Sequence, residues 1–239
     1  ELTTDNFHKN GNEIFLFRKS KDVIYSPIYT PAVLGETIKG KIPGVKSIVR
    51  ITTWDAVVFQ SEDKEPLVSD LVFADKEFFS LFSYRNVEGN LISALNEPLS
   101  LVISESLSKK MFGSESAVGR TVKYNNDKIL TITAVFNEQE KNTCFRFNSI
   151  TSLESMNILQ LEPGPFTDWG NNSYQTFLYL EKDQNQDNII RSVIKYVPEE
   201  INKRENYAYS KAGLIPLREI YFSKLWVFNN YIVFGNIKK

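Results

Sequence analysis

Two apolar stripes with helical spacing, one near each end of the chain, restrict the fold more than any other feature of this sequence. The C-terminal stripe lies in residues 183–200, where isoleucine and valine recur every three or four positions until Pro198. The N-terminal stripe lies in residues 30–44, with Thr30 as its expected N-cap. Strand-like segments flank both stripes. Because a helix with one apolar face must bury it, we predict an α+β fold with helices on one face of a split sheet.

Segments rich in β-branched and aromatic residues, bounded by turn-forming residues, indicate the strands. They cover residues 14–21, 45–54, 56–61, 66–74, 99–104, 119–124, 128–136, 173–182 and 207–217. Two shorter helices are predicted near 75–82 and 104–112, with Asp75 and Ser104 as their N-caps. Residues 137–170 show no clear period, and part of that stretch is turn-rich.

Composition excludes several classes of protein. The formal net charge of −1 gives no basic surface for nucleic acid. A single cysteine, Cys144, and a single histidine, His8, cannot form an intrachain disulfide or a Cys/His zinc cluster, so we expect no metal and no cofactor. No segment reaches the roughly 18 apolar residues of a membrane span. Because the chain begins at Glu1, we expect it to be a fragment of a longer protein.

Residues 106–109 read Ser-x-x-Lys, the spacing of the nucleophilic serine and its lysine in β-lactamases and penicillin-binding proteins. In that class the amine accepts the hydroxyl proton. The partner sequences of S-D-N and K-T-G type are absent from the chain. We therefore interpret the segment as an ordinary helix that Ser104 caps and Gly113 ends. Its solvated face is expected to consist of Ser106, Ser108, Lys109 and Lys110.

Other candidate sites are weaker, and we predict no catalytic residues. His8 has no obvious nucleophile beside it, and Gly113–Gly119 has only the outer spacing of a phosphate-binding loop. Asn171 begins an N-x-S sequence that is typical of a turn. Tyr207 and Tyr209 are compatible with an aromatic binding face, but we favour the simpler interpretation that they pack in the core or at the edge of a strand.

A series of short motifs runs in order through residues 70–136. It comprises an Asp-x-x-Phe-Phe helix, a glycine turn, a strand ending in Ser-Glu, a helix ending in Phe-Gly, and a Gly-Arg pair before a last strand. This order resembles the MacB-like periplasmic core domain of ABC-transporter permeases, the superfamily of MacB, LolC and FtsX-like proteins, in the style of Bacteroidetes-type permeases. The motif residues, all expected to be structural, are Asp75, Phe78, Phe79, Gly89, Ser104, Glu105, Phe112, Gly113, Gly119 and Arg120.

The resemblance implies a domain of two lobes. A porter-like mixed α/β lobe would use both chain ends, residues 1–73 and 146–239. A β-rich lobe, residues 74–145, would be inserted between them. Such domains lie on the extracytoplasmic, periplasmic side of the inner membrane, between membrane helices of one permease chain. They are not enzymes, and they convey motion driven by an ABC ATPase subunit or domain to a periplasmic partner protein or a lipophilic cargo. Their permeases generally work as dimers.

Two rival classes stay open at this stage. One is a stand-alone extracytoplasmic ligand-binding or sensor domain, and the other is a serine acyl-transferase. The permease hypothesis further predicts that both chain ends face the membrane, with residues 3–13 continuing a helix. Its interfacial residues near the C-terminus would be Trp226, Phe228, Tyr231, Phe234, Lys238 and Lys239.

Overall fold

A computed structural model of the protein describes residues 4–20, 28–61, 65–138, 143–161, 167–203, 209–223 and 231–232. The strands are β1 (Ile14–Arg18), β2 (Val45–Gln60), β3 (Leu67–Ala74), β4 (Arg85–Gly89), β5 (Ser100–Ser104), β6 (Thr121–Tyr124), β7 (Lys128–Asn137), β8 (Ser149–Ser152), β9 (Gln175–Leu180) and β10 (Gly213–Pro216). The helices are α1 (Ala32–Ile38), α2 (Phe78–Leu81), α3 (Glu105–Phe112), α4 (Ser155–Ile158), α5 (Gln186–Ile194), α6 (Glu199–Asn202) and α7 (Leu217–Ile220). In the described part of the chain, no helix is long and apolar enough to cross a membrane.

The chain forms two compact units. The first contains residues 1–50, 164–228 and 234–239, and the second contains residues 51–163 and 229–233. Helices and strands occur in both, which confirms the predicted α+β class. The limits of these units differ from the predicted lobe limits near 73 and 145, because β3 pairs with β8 inside the second unit. The two-lobe description therefore remains a prediction.

The first unit is a sheet with helices packed on its apolar face. Its strand order is β10-β1-β9-β2, and β1 is antiparallel to both of its neighbours. The predicted stripe of residues 183–200 is present, since Ile189 and Val193 of α5 are buried in the core of this unit. The other buried members of that core are Phe15, Phe17, Leu34, Ile38, Ile42, Ile48, Leu178, Leu180, Val197, Ile201, Tyr209 and Ala212.

Thr30 does not cap α1, so that prediction was wrong. The cap position is Pro31, without a side-chain hydrogen bond. Thr30 instead forms an isolated antiparallel bridge with Tyr174, and its amide donates to the Tyr174 carbonyl oxygen at 2.7 Å. Its hydroxyl lies 2.7 Å from the hydroxyl of Thr176. A long-range backbone pairing thus replaces the local capping bond that the sequence suggested.

Two expectations about the chain ends also require correction. Residues 4–13 form successive turns rather than a helix. Tyr231, predicted at a membrane interface, is buried and stacks on Phe145 with 6.2 Å between ring centroids. The other predicted interfacial residues, Trp226, Phe228, Phe234, Lys238 and Lys239, lie outside the described residues.

The second unit contains a mixed sheet. Its strand order is β2-β3-β8-β5-β7-β4, and β6 pairs with β7 and with the end of β2. The β3–β8 and β5–β7 pairs are parallel, and the remaining pairs are antiparallel. Parallel neighbours end at the same edge of a sheet, so the residues that follow β5 and β7 lie close together.

The two predicted strands at 45–54 and 56–61 are one strand, β2. A bulge between Trp54 and Val57 interrupts its pairing with β3, and Ala56 there has a φ of 56°. A bulge adds one unpaired residue and bends the strand without ending it. The extra residue breaks the alternation of apolar and polar positions, which made the sequence look like two strands.

Candidate functional site

The joint between β5 and α3 is built by side chains that satisfy the first amides of the helix. The Ser104 hydroxyl accepts from the Leu107 amide at 3.1 Å, as predicted for an N-cap. The Glu138 carboxylate, which directly follows β7, accepts from the amides of Glu105 and Ser106 at 3.1 and 2.9 Å. A carboxylate is favoured there because the helix dipole is positive at its amino end.

Further contacts fix this joint to its neighbours. The amide of Ser104 donates to the Asn148 carbonyl oxygen at 2.8 Å, and the Ser104 hydroxyl donates to Asn148 Oδ1 at 3.1 Å. At the end of β7, Asn137 Nδ2 donates to Glu105 Oε2 at 2.6 Å. The joint thereby connects β5, the end of β7 and the segment before β8.

The Ser-x-x-Lys spacing does not produce a nucleophile with its base. Lys109 Nζ donates to Glu105 Oε1 at 2.7 Å, one turn back along α3. The Ser106 hydroxyl lies 3.1 Å from that of Ser104. Ser108, expected on the solvated face, is buried, which corrects that part of the prediction, whereas Lys109 and Lys110 are exposed. The hydroxyl of Ser106 is thus used in the capping network.

Ser106 also lines an open groove. The groove has a volume of about 440 Å³, and its other lining residues are Ala56, Leu67, Val68, Ser69, Asp70, Leu107, Lys110 and Asn148. Val68 is 72% exposed there. Ser106 is therefore reachable from solvent, so its reactivity can be tested directly.

Glu88 of β4 holds the loop that follows α3. Its carboxylate accepts from the Ser116 hydroxyl and from the amides of Ala117 and Val118, the last two at 3.2 and 3.3 Å. Burial disfavours the charged form of Glu88, but these hydrogen bonds outweigh it and hold the pKa of Glu88 below its ordinary value. We call this arrangement of Glu88 and residues 113–120 the clasp.

Several predicted motif residues belong to the clasp. Gly113, with a φ of 69°, ends α3, and Gly119, with a φ of 85°, donates its amide to the Ile132 carbonyl oxygen at 2.8 Å. The Arg120 side chain pairs with Glu115, donates to the Ser116 carbonyl oxygen, and lies 5.2 Å from the ring centroid of Phe112. The P-loop-like spacing of Gly113 and Gly119 therefore marks a structural turn.

Gly89 is required by close packing between β4 and β7. Its φ is 73°, and a Cβ atom placed on it would lie 2.4 Å from the Thr133 carbonyl oxygen. Real Cβ atoms essentially never approach another atom this closely. Gly119 also has a positive φ, but a Cβ atom there would meet nothing within 4 Å.

The Asp-x-x-Phe-Phe motif leads into an aromatic cluster. Helix α2 begins at Phe78, later than predicted, with Glu77 rather than Asp75 at the cap position. The Asp75 carbonyl oxygen accepts from the Phe78 amide at 3.0 Å. Ring centroids 4.9 to 6.3 Å apart join Phe78 and Phe79 to the rest of the cluster. Its other members are Phe82, Tyr84, Phe136, Phe145 and Phe147.

The aromatic cluster borders a cavity of about 470 Å³, which we call the aromatic cavity. Its apolar lining is Tyr84, Phe136, Phe145 and Phe147, and its polar lining is Glu138, Thr143, Arg146 and Asn148. The aromatic cavity therefore adjoins the β5–α3 joint through two shared residues, Glu138 and Asn148.

The other residues that the sequence suggested as possible sites make contacts within the fold. His8 is buried, and its Nε2 lies 3.7 Å from Asp5 Oδ1. Tyr209 is buried against Phe17 in the core of the first unit, and Tyr207 lies outside the described residues. Asn171 accepts from the Ser173 hydroxyl at 2.7 Å, within one turn. Among the described residues, no group of three or more His, Cys, Asp or Glu could hold a metal ion.

Comparison with known proteins identifies the family. The MacB-like periplasmic core domain matches residues 2–202 of the chain. The chain belongs to this family. No curated protein matches it.

Solved structures share the fold of this MacB-like domain at low sequence identity. A domain assigned to a permease protein of Porphyromonas gingivalis has a TM-score of 0.71 and 19% identity, covering 92% of this chain and 95% of that one. The periplasmic region of MacB from Actinobacillus actinomycetemcomitans has a TM-score of 0.60 and 13% identity, covering 88% and 91%. The extracellular domain of the noncanonic ABC-type transporter YknZ from Gram-positive bacteria has a TM-score of 0.56 and 14% identity, covering 84% and 99%.

Most of the predicted motif residues of this MacB-like domain lie at the joint, at the clasp or at the aromatic cluster, whereas Gly89 lies at the contact between β4 and β7. Sequence reasoning did not find Glu138, Arg146 or Asn148, all of which lie in the stretch without clear periodicity. One local signal was present there, since Phe145 and Phe147 alternate with Arg146 and Asn148 in the period of a strand.

We expect Gly89→Ala to destabilise the MacB-like domain more than Gly119→Ala. Both substitutions place a side chain at positive φ, which costs about 1–2 kcal/mol. Only Gly89→Ala also forces a Cβ atom against backbone. Urea unfolding followed by circular dichroism measures the difference, and equal losses for the two variants would contradict the proposed close approach.

Glu88→Gln is expected to lower the unfolding free energy at pH 7 by about 1 kcal/mol, because hydrogen bonds to a charged acceptor are lost. The pKa of Glu88 is lower in the folded protein, so its carboxylate stabilises the fold above the unfolded-state value of about 4.3. That contribution is lost as the pH falls through the folded-state pKa. The difference in unfolding free energy between the native protein and the variant should therefore shrink as the pH falls below about 4.3.

Urea unfolding at several pH values measures this difference. Glu154→Gln removes an exposed carboxylate of the same unit and controls for the change in net charge. If the difference in unfolding free energy between the native protein and Glu88→Gln stays constant or grows on acidification, the clasp does not depend on a charged Glu88.

Proposed function

We propose that this domain is the extracytoplasmic part of an ABC-transporter permease, and that it transmits ATP-driven motion to a cargo or a partner protein without catalysing a reaction. The observation that carries the proposal is the family match over residues 2–202, which takes in parts of both units. Two structures with the same fold are described as the periplasmic region of MacB and the extracellular domain of an ABC-type transporter. The proposed location is the periplasmic face of the inner membrane.

The proposed partners follow from this assignment. The domain would be joined to membrane helices of its own permease chain and would act with an ABC ATPase subunit or domain. A second copy of the permease would complete a dimer, and a periplasmic protein or a lipophilic cargo would receive the motion.

A stand-alone ligand-binding or sensor domain is the alternative. The full reading frame separates the two, because a permease of this type should show one apolar span before Glu1 and three after Lys239. A sensor would carry a kinase or another output domain in their place.

Transmission of motion can be measured in the intact permease. The one cysteine of this chain, Cys144, is fully buried. With any cysteine in the rest of the permease replaced by serine, a nitroxide label attached at an exposed Lys195→Cys position should therefore react selectively. In the permease–ATPase complex in lipid nanodiscs, we expect the electron–electron distance between the labels of two copies to change on addition of ATP and vanadate.

The same label on this chain alone is the control, and it should not respond to nucleotide. An identical distance distribution with and without ATP and vanadate in the full complex would contradict transmission of motion. It would leave membership of the family intact.

Absence of acyl-transfer activity is tested at Ser106. Because Lys109 is paired with Glu105 rather than with Ser106, we expect a fluorophosphonate probe or a β-lactam to leave Ser106 unlabelled. Intact-protein mass spectrometry measures the labelling, with Ser106→Ala as the matched control. Stoichiometric modification that is lost in the Ser106→Ala variant would establish a nucleophilic serine.

A further inference from the structure

The aromatic cavity carries donors and positive charge on its polar side. Arg146 is exposed and makes no ion pair with any described residue. Asn148 is also exposed, and its Oδ1 accepts from the Ser104 hydroxyl. The donors of this side chain are on Nδ2, which that hydrogen bond does not use. A guanidinium group and an amide donor side by side favour an anionic partner, since guanidinium matches the geometry of carboxylates and similar anions.

Glu138, the acidic residue of the lining, does not cancel this preference. One of its carboxylate oxygens accepts from the Glu105 amide and the other from the Ser106 amide. Its negative charge therefore faces the positive end of α3 and is compensated there. The charge of Arg146 has no such partner in the described part of the chain.

The apolar side of the aromatic cavity consists of rigid ring surfaces. Phe136 and Phe147 have ring centroids 5.1 Å apart, and Tyr84 lies 5.4 and 5.6 Å from them. Rings in such a cluster offer edges and faces to a further planar group, which they contact in offset or edge-to-face geometry. The cavity volume of about 470 Å³ lies within the range of small-molecule sites, roughly 300–1,000 Å³.

We propose that the aromatic cavity is a binding site for small aromatic anions. The planar apolar part of the ligand packs against Tyr84, Phe136 and Phe147, and its anionic group is bound by Arg146 and Asn148. No bond is made or broken, and the site is independent of the proposed transmission of motion.

The fluorescent aromatic sulfonate 1-anilinonaphthalene-8-sulfonate is a direct probe of this site. We expect saturable binding to this chain, with amide shifts of residues 143–148 in a ¹⁵N–¹H correlation spectrum. Arg146→Gln should weaken binding by roughly tenfold to a hundredfold, because a charge-assisted contact is lost. Arg146→Lys should restore part of the affinity.

Controls separate the site from general binding of the dye. Arg191→Gln removes an exposed arginine of α5 in the other unit and should leave the affinity unchanged. N-acetyltryptophan should displace the dye, whereas N-acetyltryptophanamide, which lacks the carboxylate, should not. The proposal is overturned if the dye does not saturate, if Arg146→Gln binds it as tightly as the native chain, or if the acid and the amide compete equally or not at all.

Discussion

The amino end of α3 is the point on which the second unit depends. An isolated helix of eight residues is unstable in water, because nucleation costs more than so few hydrogen bonds return. Here Ser104 and Glu138 accept from the first three amides of the helix, which would otherwise be unsatisfied. These acceptors sit at the ends of β5 and β7, which are parallel neighbours. The pairing of these two strands therefore places the groups that cap the helix.

This arrangement explains why a serine-rich helix start need not be catalytic. A serine that caps a helix and a serine that attacks a carbonyl can both lie at the start of a helix. What distinguishes them is the position of the base. In this domain the lysine one turn along is paired with Glu105, so the helix gains an ion pair and the serine gains no base.

The clasp and the aromatic cavity follow the same principle. In each, a carboxylate accepts backbone amides: Glu88 from Ala117 and Val118, and Glu138 from Glu105 and Ser106. Acidic residues that face backbone donors carry a compensated charge. The arginines of the two regions differ in their partners. Arg120 is paired with Glu115 inside the clasp, whereas Arg146 at the aromatic cavity makes no ion pair with a described residue.

The sequence by itself determined which segments form one-sided helices, where α3 begins, and where the chain needs glycine. Ile189 and Val193 are buried as their spacing predicts, Ser104 is the predicted cap, and Gly113 and Gly119 have positive φ. These features are local, because periodicity and capping depend on residues within a few positions of one another.

Only the tertiary structure decided the pairings between distant segments. It placed Thr30 against Tyr174 rather than on α1, buried Tyr231 against Phe145, and brought Glu138 to a helix that begins 33 residues earlier in the chain. The sequence around each of these residues shows which groups need a partner but not which partner they meet. Strand register and sheet order make that choice, and both are set by packing over the whole unit.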